Sequence, residues 1–264
     1  MNKEDIKNIW EEKLNSQERV PTLFDRLIKN TAIKNVFNNS DETISRFRKL
    51  FENLMDSKSS RFSTYEQREK EVCEFSKKKS SLDEFTFLLS QGTHSTIKWK
   101  GLSLYKSVFD MVIYMQLLSE IKPDVIVEYG SGTGGSALWL YDVALSLNID
   151  VSIHSYDIKK PDLTSRNIYF EEIDLTKDLP ELSKLKGKKL VIEDAHRNIE
   201  NVLLNADSFL SSGDYLIVED SENKSKYISD FLSKAKNKYM VDNFYADFFG
   251  KNSSTAINSI FIVV

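Results

Sequence analysis

Two short segments of the chain, each directly after an apolar run, carry the side chains best suited to chemistry. The first segment holds Glu193, Asp194 and His196, and the second holds Glu219 and Asp220. Carboxylates that crowd together repel one another unless a cation or a ligand offsets their charge, and Mg²⁺ prefers oxygen ligands of this kind. A histidine beside them is suited to take a proton from a hydroxyl group at neutral pH. The segments therefore predict a magnesium site with His196 as general base.

In open α/β sheets ligands bind beyond the carboxyl ends of the strands, and both segments follow predicted strands. We expect the metal ligands to be Glu193 or Asp194, together with Glu219 and Asp220. A single acid at a strand end is usually a turn former or a helix cap, and a lone histidine is more often structural. Acids recur here after several strands, which favours a functional site.

A glycine-rich segment at 128–135 has the spacing E-x-G-x-G-x-G-G. An apolar run precedes it and a helical pattern follows, an order that brings backbone close to a nucleotide-like ligand. The spacing differs from the G-x-G-x-x-G dinucleotide fingerprint, and no K-[ST] follows to form a phosphate loop. Because an acid at the strand tip suits a cationic or hydroxyl-rich ligand, the segment predicts S-adenosylmethionine (SAM) binding. The structural alternative is a turn that only packs a helix on a strand.

Two further acids are candidates for contacts with the rest of that ligand. Asp157 ends the second predicted strand, about 20 to 30 residues past the glycine turn, where nucleotide-binding βαβ units place the acid that bonds the ribose hydroxyls. Asp174 follows the third predicted strand and is a candidate partner for the adenine amine.

Composition excludes several classes of protein. The chain has 264 residues, 41% of them hydrophobic and 29% charged, with a net charge of −4. Acids and bases are interspersed, so a nucleic-acid surface is not expected. Cys73 is the only cysteine, which fits a reducing compartment. The sequence has no apolar leader and no run long enough to span a membrane, so we expect a cytoplasmic protein.

The pattern along the chain divides it into two parts. Residues 1–92 show helical spacing and no glycine before residue 92, which predicts a helical appendage that covers substrate or forms a homo-oligomer. Residues 93–264 alternate strands with helices from about residue 124, which predicts an α/β domain with a mostly parallel sheet. Two final runs, 239–245 and 256–264, predict an antiparallel hairpin at the sheet edge.

Several separated motifs in residues 95–264 together resemble one known family. The motifs are K-W-K-G…Y-K…D at 98–110, K-P-D-V-I-V-E-Y-G-S-G-T-G-G-S-A-L at 122–138, V-I-E-D-A-H at 191–196 and S-G-D-Y-L-I-V-E-D at 212–220. In order and spacing they are similar to the cephalosporin-hydroxylase-like family of SAM-dependent methyltransferases, which includes rhamnosyl and macrolide-sugar O-methyltransferases. The resemblance implies a Rossmann-like class I methyltransferase fold with a mostly parallel seven-stranded sheet.

The resemblance also implies roles for individual residues. The segment that holds the methionine end of SAM corresponds to Glu128, Gly130, Ser131, Gly132 and Ser136, and the loop over the cofactor corresponds to Tyr105 and Lys106. Glu219 and Asp220 match two metal ligands, and His196 matches the general base. The third ligand in the family is normally an Asp three residues before the histidine. This chain has Glu193 there, with Asp194 as a register-shifted alternative.

Together these residues predict a SAM-dependent O-methyltransferase acting on a hydroxyl of a sugar, a nucleotide sugar or a similar small molecule. By family analogy the acceptor belongs to a bacterial surface polysaccharide or a secondary metabolite. One alternative is a SAM-dependent enzyme that methylates nitrogen or a carboxylate, and a carboxylate acceptor would need neither base nor metal. Another is a nucleotide-sugar-binding or NAD-dependent protein, which the spacing of the glycines and the paired strand-end acids disfavour.

Overall fold

A computed structural model describes residues 61–73 and 76–264 of the chain. Its centre is an eight-stranded sheet with the order β1-β9-β10-β8-β7-β4-β5-β6. The strands of this sheet are β1 (Phe62–Ser63), β4 (Val125–Tyr129), β5 (Ser152–Asp157), β6 (Ile168–Glu172), β7 (Lys189–Glu193), β8 (Tyr215–Val218), β9 (Tyr239–Asp242) and β10 (Ile260–Val263). A separate two-stranded sheet pairs β2 (Lys98–Trp99) with β3 (Leu102–Ser103).

Helices cover the strands and connect them. They are α1 (Tyr65–Lys70), α2 (Glu84–Ser90), α3 (Val108–Ile121), α4 (Gly135–Ser146), α5 (Ile199–Asp207), α6 (Ser225–Lys234) and α7 (Asn243–Ala246). Helix α3 begins at a serine cap, since Ser107 Oγ accepts the Asp110 N–H at 3.0 Å. It ends where Lys122 adopts a left-handed conformation and a proline follows. Local sequence therefore sets both ends of the helix that precedes the glycine turn.

The five strands β6, β5, β4, β7 and β8 run parallel, so their carboxyl ends meet at one edge of the sheet. The register places Tyr129 beside Tyr156 on one side and Glu193 on the other. Glu193 in turn lies beside Val218, the residue before Glu219. The acids that the sequence placed after separate strands therefore converge on the same edge.

The core consists of two apolar layers, one on each face of the sheet. All five residues of β4 are buried. Successive side chains of a strand point to opposite faces, and accordingly Ile126 packs with residues of α3 and α4 while Val125 and Val127 pack with residues of α5 and α6. This burial on both faces explains why β4 reads as a continuous apolar run.

The prediction of a Rossmann-like, mostly parallel α/β fold is confirmed, and so is the antiparallel pairing of the last two strands, with Phe261 opposite Val241. The sheet has one more strand than the seven predicted, because β1 pairs with β9. Residues 61–92, which the sequence assigned to the appendage, thus supply β1, α1 and α2. The helices expected between residues 6 and 55 lie outside the described residues. Within the described part, no helix is long and apolar enough to cross a membrane.

Candidate functional site

A cavity of about 680 Å³ opens at the carboxyl ends of the parallel strands. Its wall contains the glycine turn, part of the loop before α3, and residues that follow β5, β6, β7 and β8. The predicted residues on this wall are Tyr105, Lys106, Gly130, Ser131, Gly132, Ser136, Asp157, Asp174, Asp194, His196 and Asp220. One cavity therefore contains most of the residues that the sequence assigned separately to cofactor, metal and base.

The glycine turn packs closely against its surroundings. Gly130 has φ +104°, and a Cβ atom there would lie 2.7 Å from the carbonyl carbon and oxygen of Asp194. A Cβ on Gly135 would lie 2.3 Å from the carbonyl oxygen of Ser103, in the loop that leads to α3. Because only glycine permits these approaches, the turn can lie between the end of β7 and the 103–107 loop.

Glu128 lies behind the glycine turn and not on the cavity wall. Its carboxylate is fully buried and accepts hydrogen bonds from Ser136 Oγ and from Ser155 Oγ, the latter at 2.5 Å. Ser155 Oγ also lies 2.6 Å from Ser131 Oγ. Burial raises the pKa of Glu128, although the charge of Lys106 opposes this shift. The side chain holds the two ends of the turn together, while Ser131 and Ser136 line the cavity.

Asp157 and Asp174 line the cavity as predicted. Asp157 Oδ2 accepts the Gly132 N–H at 2.8 Å, so this carboxylate lies directly across the glycine turn. Asp174 Oδ1 accepts two hydrogen bonds from Thr176, and Oδ2 pairs with Lys177 at 2.9 Å. These bonds lower the pKa of Asp174 to about 2 and keep it charged.

Asp194, His196 and Asp220 form a compact cluster on the same cavity wall. His196 Nε2 lies 3.3 Å from Asp194 Oδ1 and 3.5 Å from Asp220 Oδ2. One potential ligand atom from each of the three lies within 4.8 Å of the others. The hydrogen bond to Asp194 raises the pKa of His196, with burial opposing the shift. About half of the imidazole is exposed, so a ligand in the cavity can reach it.

Glu193 and Glu219 do not join this cluster and do not line the cavity. Glu193 is fully buried, and its carboxylate accepts a hydrogen bond from Lys224 Nζ at 2.8 Å and from the His196 N–H at 3.0 Å. Glu219 accepts hydrogen bonds from Lys106 Nζ and from the Tyr114 hydroxyl. Two buried lysines thus neutralise the two glutamates. Of the four acids predicted as metal ligands, the structure therefore brings Asp194 and Asp220 together at the cavity wall and places Glu193 and Glu219 against buried lysines.

Lys106 contacts acids of the strand ends. It is 3% exposed, and its Nζ donates to Asp194 Oδ2 at 2.8 Å as well as to Glu219. Burial opposes a charge on this ammonium group, but the carboxylates of Asp194 and Glu219 outweigh burial and raise the pKa of Lys106 well above its ordinary value. Tyr105, in contrast, lines the cavity with a largely exposed side chain.

The sequence reading missed several residues of the site. Lys224 and Tyr114 hold the buried glutamates, while Arg197, Thr133 and Gln91 lie on the cavity wall. Arg197 directly follows His196, and a cation adjoining the Glu193–His196 segment was a signal available in the sequence. No sequence spacing indicated Lys224 or Tyr114, since their roles depend on partners distant along the chain.

Comparison with solved structures defines the class of fold. The chain resembles a structure of CmcI with Mg and SAM, with a TM-score of 0.54, 24% identity, and coverage of 70% of this chain and 85% of that one. It also resembles CmcI with SAH, with a TM-score of 0.53, 25% identity, and coverage of 65% and 84%. These similarities confirm the Rossmann-like methyltransferase fold.

The sequence comparison shows the family. The family described as rhamnosyl O-methyltransferase/CmcI matches residues 91–241, and the chain belongs to it. A rhamnosyl O-methyltransferase of Mycobacterium leprae (strain TN) is 34% identical over 140 residues, which cover 48% of this chain and 61% of that protein. One from Mycobacterium tuberculosis (strain ATCC 25618 / H37Rv) is 30% identical over 137 residues, covering 47% and 56%. The match therefore spans about three fifths of the length of these relatives.

Proposed function

We propose that this protein is a SAM-dependent O-methyltransferase that transfers a methyl group to a hydroxyl of a sugar or sugar-like molecule. One observation carries the proposal: a single cavity is lined both by the glycine turn with Asp157 and by the Asp194, His196 and Asp220 cluster. Methyl transfer requires the methyl group of the donor and the hydroxyl of the acceptor to be aligned. A cavity with two adjoining half-sites, one for the donor and one for the acceptor, would provide this alignment. The relatives named as rhamnosyl O-methyltransferases and the CmcI structure with Mg and SAM support the same assignment.

The first half-site would hold SAM. Within residues 130–132 of the glycine turn only Ser131 carries a side chain, so a ligand in the cavity can approach the backbone closely. Asp157 offers a carboxylate to the ribose hydroxyls. SAM brings a methyl group already activated on a sulfonium, so the protein has to bind the two substrates, orient them and exclude water. The acidic lining favours a cationic donor, since Asp157 and Asp174 are both carboxylates.

The second half-site fits a magnesium ion. Mg²⁺ is commonly bound by one or two carboxylates together with water and substrate oxygens, and Asp194 and Asp220 supply two carboxylates at the cavity wall. We assign the ligands to these aspartates and not to His196, because oxygen suits Mg²⁺ better than imidazole does. When bound there, Mg²⁺ would orient two neighbouring hydroxyls of the acceptor and lower the pKa of the one that attacks.

His196 is assigned the role of general base. Its imidazole is half exposed to the cavity, and Asp194 and Asp220 orient it through Nε2. The hydroxyl of the acceptor gives its proton to the imidazole as the oxygen attacks the methyl group, while the bond from that methyl group to the sulfonium sulfur breaks and the demethylated cofactor leaves as a neutral thioether. The resulting imidazolium is stabilised by the same two aspartates, which already raise the pKa of His196. A metal bound nearby would by itself lower the pKa of His196, so the metal and the two aspartates would act on this pKa in opposite directions.

A methyl-transfer assay with chemically distinct acceptors tests the proposed function. The protein is incubated with methyl-labelled SAM, Mg²⁺ and, separately, rhamnosides, nucleotide sugars, amines and carboxylates. We expect the labelled methyl group to be found on a sugar hydroxyl as a methyl ether, which is stable to mild alkali. Label released by alkali would indicate a methyl ester, and label on an amine would indicate nitrogen methylation; either would overturn the O-methyltransferase assignment. If SAM fails to bind while NAD binds, the donor half-site is misassigned.

A further inference from the structure

Lys106 is a buried cation on the cavity wall, in contact with the proposed acceptor half-site. Its ammonium group lies between the carboxylates of Asp194, at 2.8 Å, and Glu219, and the side chain is 3% exposed. A buried ammonium group is costly unless it is paired and hydrogen-bonded, and here two acids satisfy that condition. Lys106 is therefore a buried, paired lysine and not a surface lysine.

The backbone that carries Lys106 is fixed. The next residue, Ser107, is fully buried and caps α3 by accepting the Asp110 N–H. The carboxylate of Asp110 accepts hydrogen bonds from Ser254 Oγ at 2.7 Å and from the Thr255 N–H at 3.1 Å. The start of α3 is thus hydrogen-bonded to the loop before β10, and this holds the backbone next to Lys106 in place.

Asp194 connects Lys106 to the proposed base. Its Oδ2 accepts the hydrogen bond from Lys106 Nζ, and its Oδ1 lies 3.3 Å from His196 Nε2. A carboxylate held at one oxygen has fewer orientations available to the other, so the Lys106 contact fixes the oxygen that faces the imidazole. Lys224, the other buried lysine here, contacts Glu193 and the Glu219 carbonyl oxygen, neither of which lines the cavity.

We propose that Lys106 is a positioning residue for methyl transfer, which holds Asp194 so that Asp194 orients His196, and that it is not a binding residue for SAM. This inference rests on the proposed function. It assigns Lys106 to the acceptor half-site, whereas the sequence placed it in a loop over the cofactor. It predicts that loss of the ammonium group slows turnover and leaves the affinity for SAM unchanged.

The test compares three proteins in which residue 219 carries no charge. Removing Lys106 alone would leave Asp194 and Glu219 without their cation, so the reference is Glu219→Gln, which keeps the Lys106–Asp194 contact. The test protein is Lys106→Met with Glu219→Gln, in which Tyr114 can still donate to the amide oxygen. The third is Lys106→Arg with Glu219→Gln, which restores a cation beside Asp194. For each protein we would measure melting temperature, SAM affinity by calorimetry, and kcat and KM for methyl transfer.

Relative to the reference, the Met variant should lose kcat by about 10- to 100-fold, with SAM affinity within about twofold, and the Arg variant should regain part of that loss. An unchanged kcat in a folded Met variant would overturn the inference. So would a fall in SAM affinity with kcat intact, which would return Lys106 to the cofactor. A wild-type protein that transfers no methyl group from SAM would refute the proposed function instead, and the two failures are therefore distinguishable.

Discussion

Replacement of Gly130 by alanine tests the close contact between the glycine turn and the end of β7. Gly130 has φ +104°, and the new Cβ would lie 2.7 Å from backbone atoms of Asp194 and 2.9 Å from the Ala195 nitrogen. The unfavourable φ costs about 1–3 kcal/mol, and forcing extra volume against packed backbone costs roughly 1–3 kcal/mol more. The expected destabilisation is the sum, roughly 2–6 kcal/mol, out of a total stability on the order of 5–15 kcal/mol.

Gly132→Ala is the matched control, two residues away in the same turn. Gly132 has φ +49°, and a Cβ there would meet nothing within 4 Å, so only the left-handed conformation is penalised, by about 1–2 kcal/mol. Denaturant unfolding of both variants measures the difference. Gly130→Ala should also lose methyl transfer more severely, because relief of the clash displaces the backbone of Asp194. Equal stability of the two variants would refute the close packing of the turn on β7.

Three further results are expected. Asp157→Ala should weaken SAM binding by about 1–3 kcal/mol in calorimetry, the usual loss for an unmade charged hydrogen bond; Asp178→Ala, an exposed acid away from the cavity wall, should not. His196→Gln should lower kcat by roughly 10²–10⁴-fold with SAM affinity and melting temperature preserved, and turnover within a few-fold of wild type would exclude the base role. In NMR titrations of the ligand-free protein the pKa of His196 should exceed the ordinary histidine value of about 6.5, because Asp194 stabilises the imidazolium, and it should fall when Mg²⁺ is added. His154, whose pKa burial lowers, is the internal control. No response of His196 to Mg²⁺ would place the cation elsewhere.

The sequence was informative where local pattern and topology act together. The apolar runs of β4, β5, β7 and β8 predicted strands at nearly the observed bounds, and parallel pairing then forces their carboxyl ends to one edge. The placement of Asp157 and Asp194 at one cavity follows from that topology and needs no knowledge of side-chain packing.

Features that depend on long-range partners could not be predicted in this way. The two-residue strand β1 has too little pattern to be recognised, and its partner β9 lies about 180 residues later. The acids at 193 and 219 looked equivalent to their neighbours, yet each faces a buried lysine: Lys224 for Glu193 and Lys106 for Glu219. Which carboxylate of an adjacent pair faces the cavity is decided by such contacts, and spacing alone does not contain them.

The central claim is that one cavity serves two ligands, with SAM bound by the glycine turn and Asp157, and a metal-assisted hydroxyl acceptor bound at Asp194 and Asp220. Removal of divalent cations separates these functions most directly. Methyl transfer and SAM affinity are measured in the same preparation before chelation with EDTA, after it, and after Mg²⁺ is restored. We predict that chelation abolishes methyl transfer, that Mg²⁺ restores it, and that SAM affinity stays constant. Full activity after chelation would contradict the claim and assign the two aspartates to hydrogen bonding with the acceptor or with His196 alone.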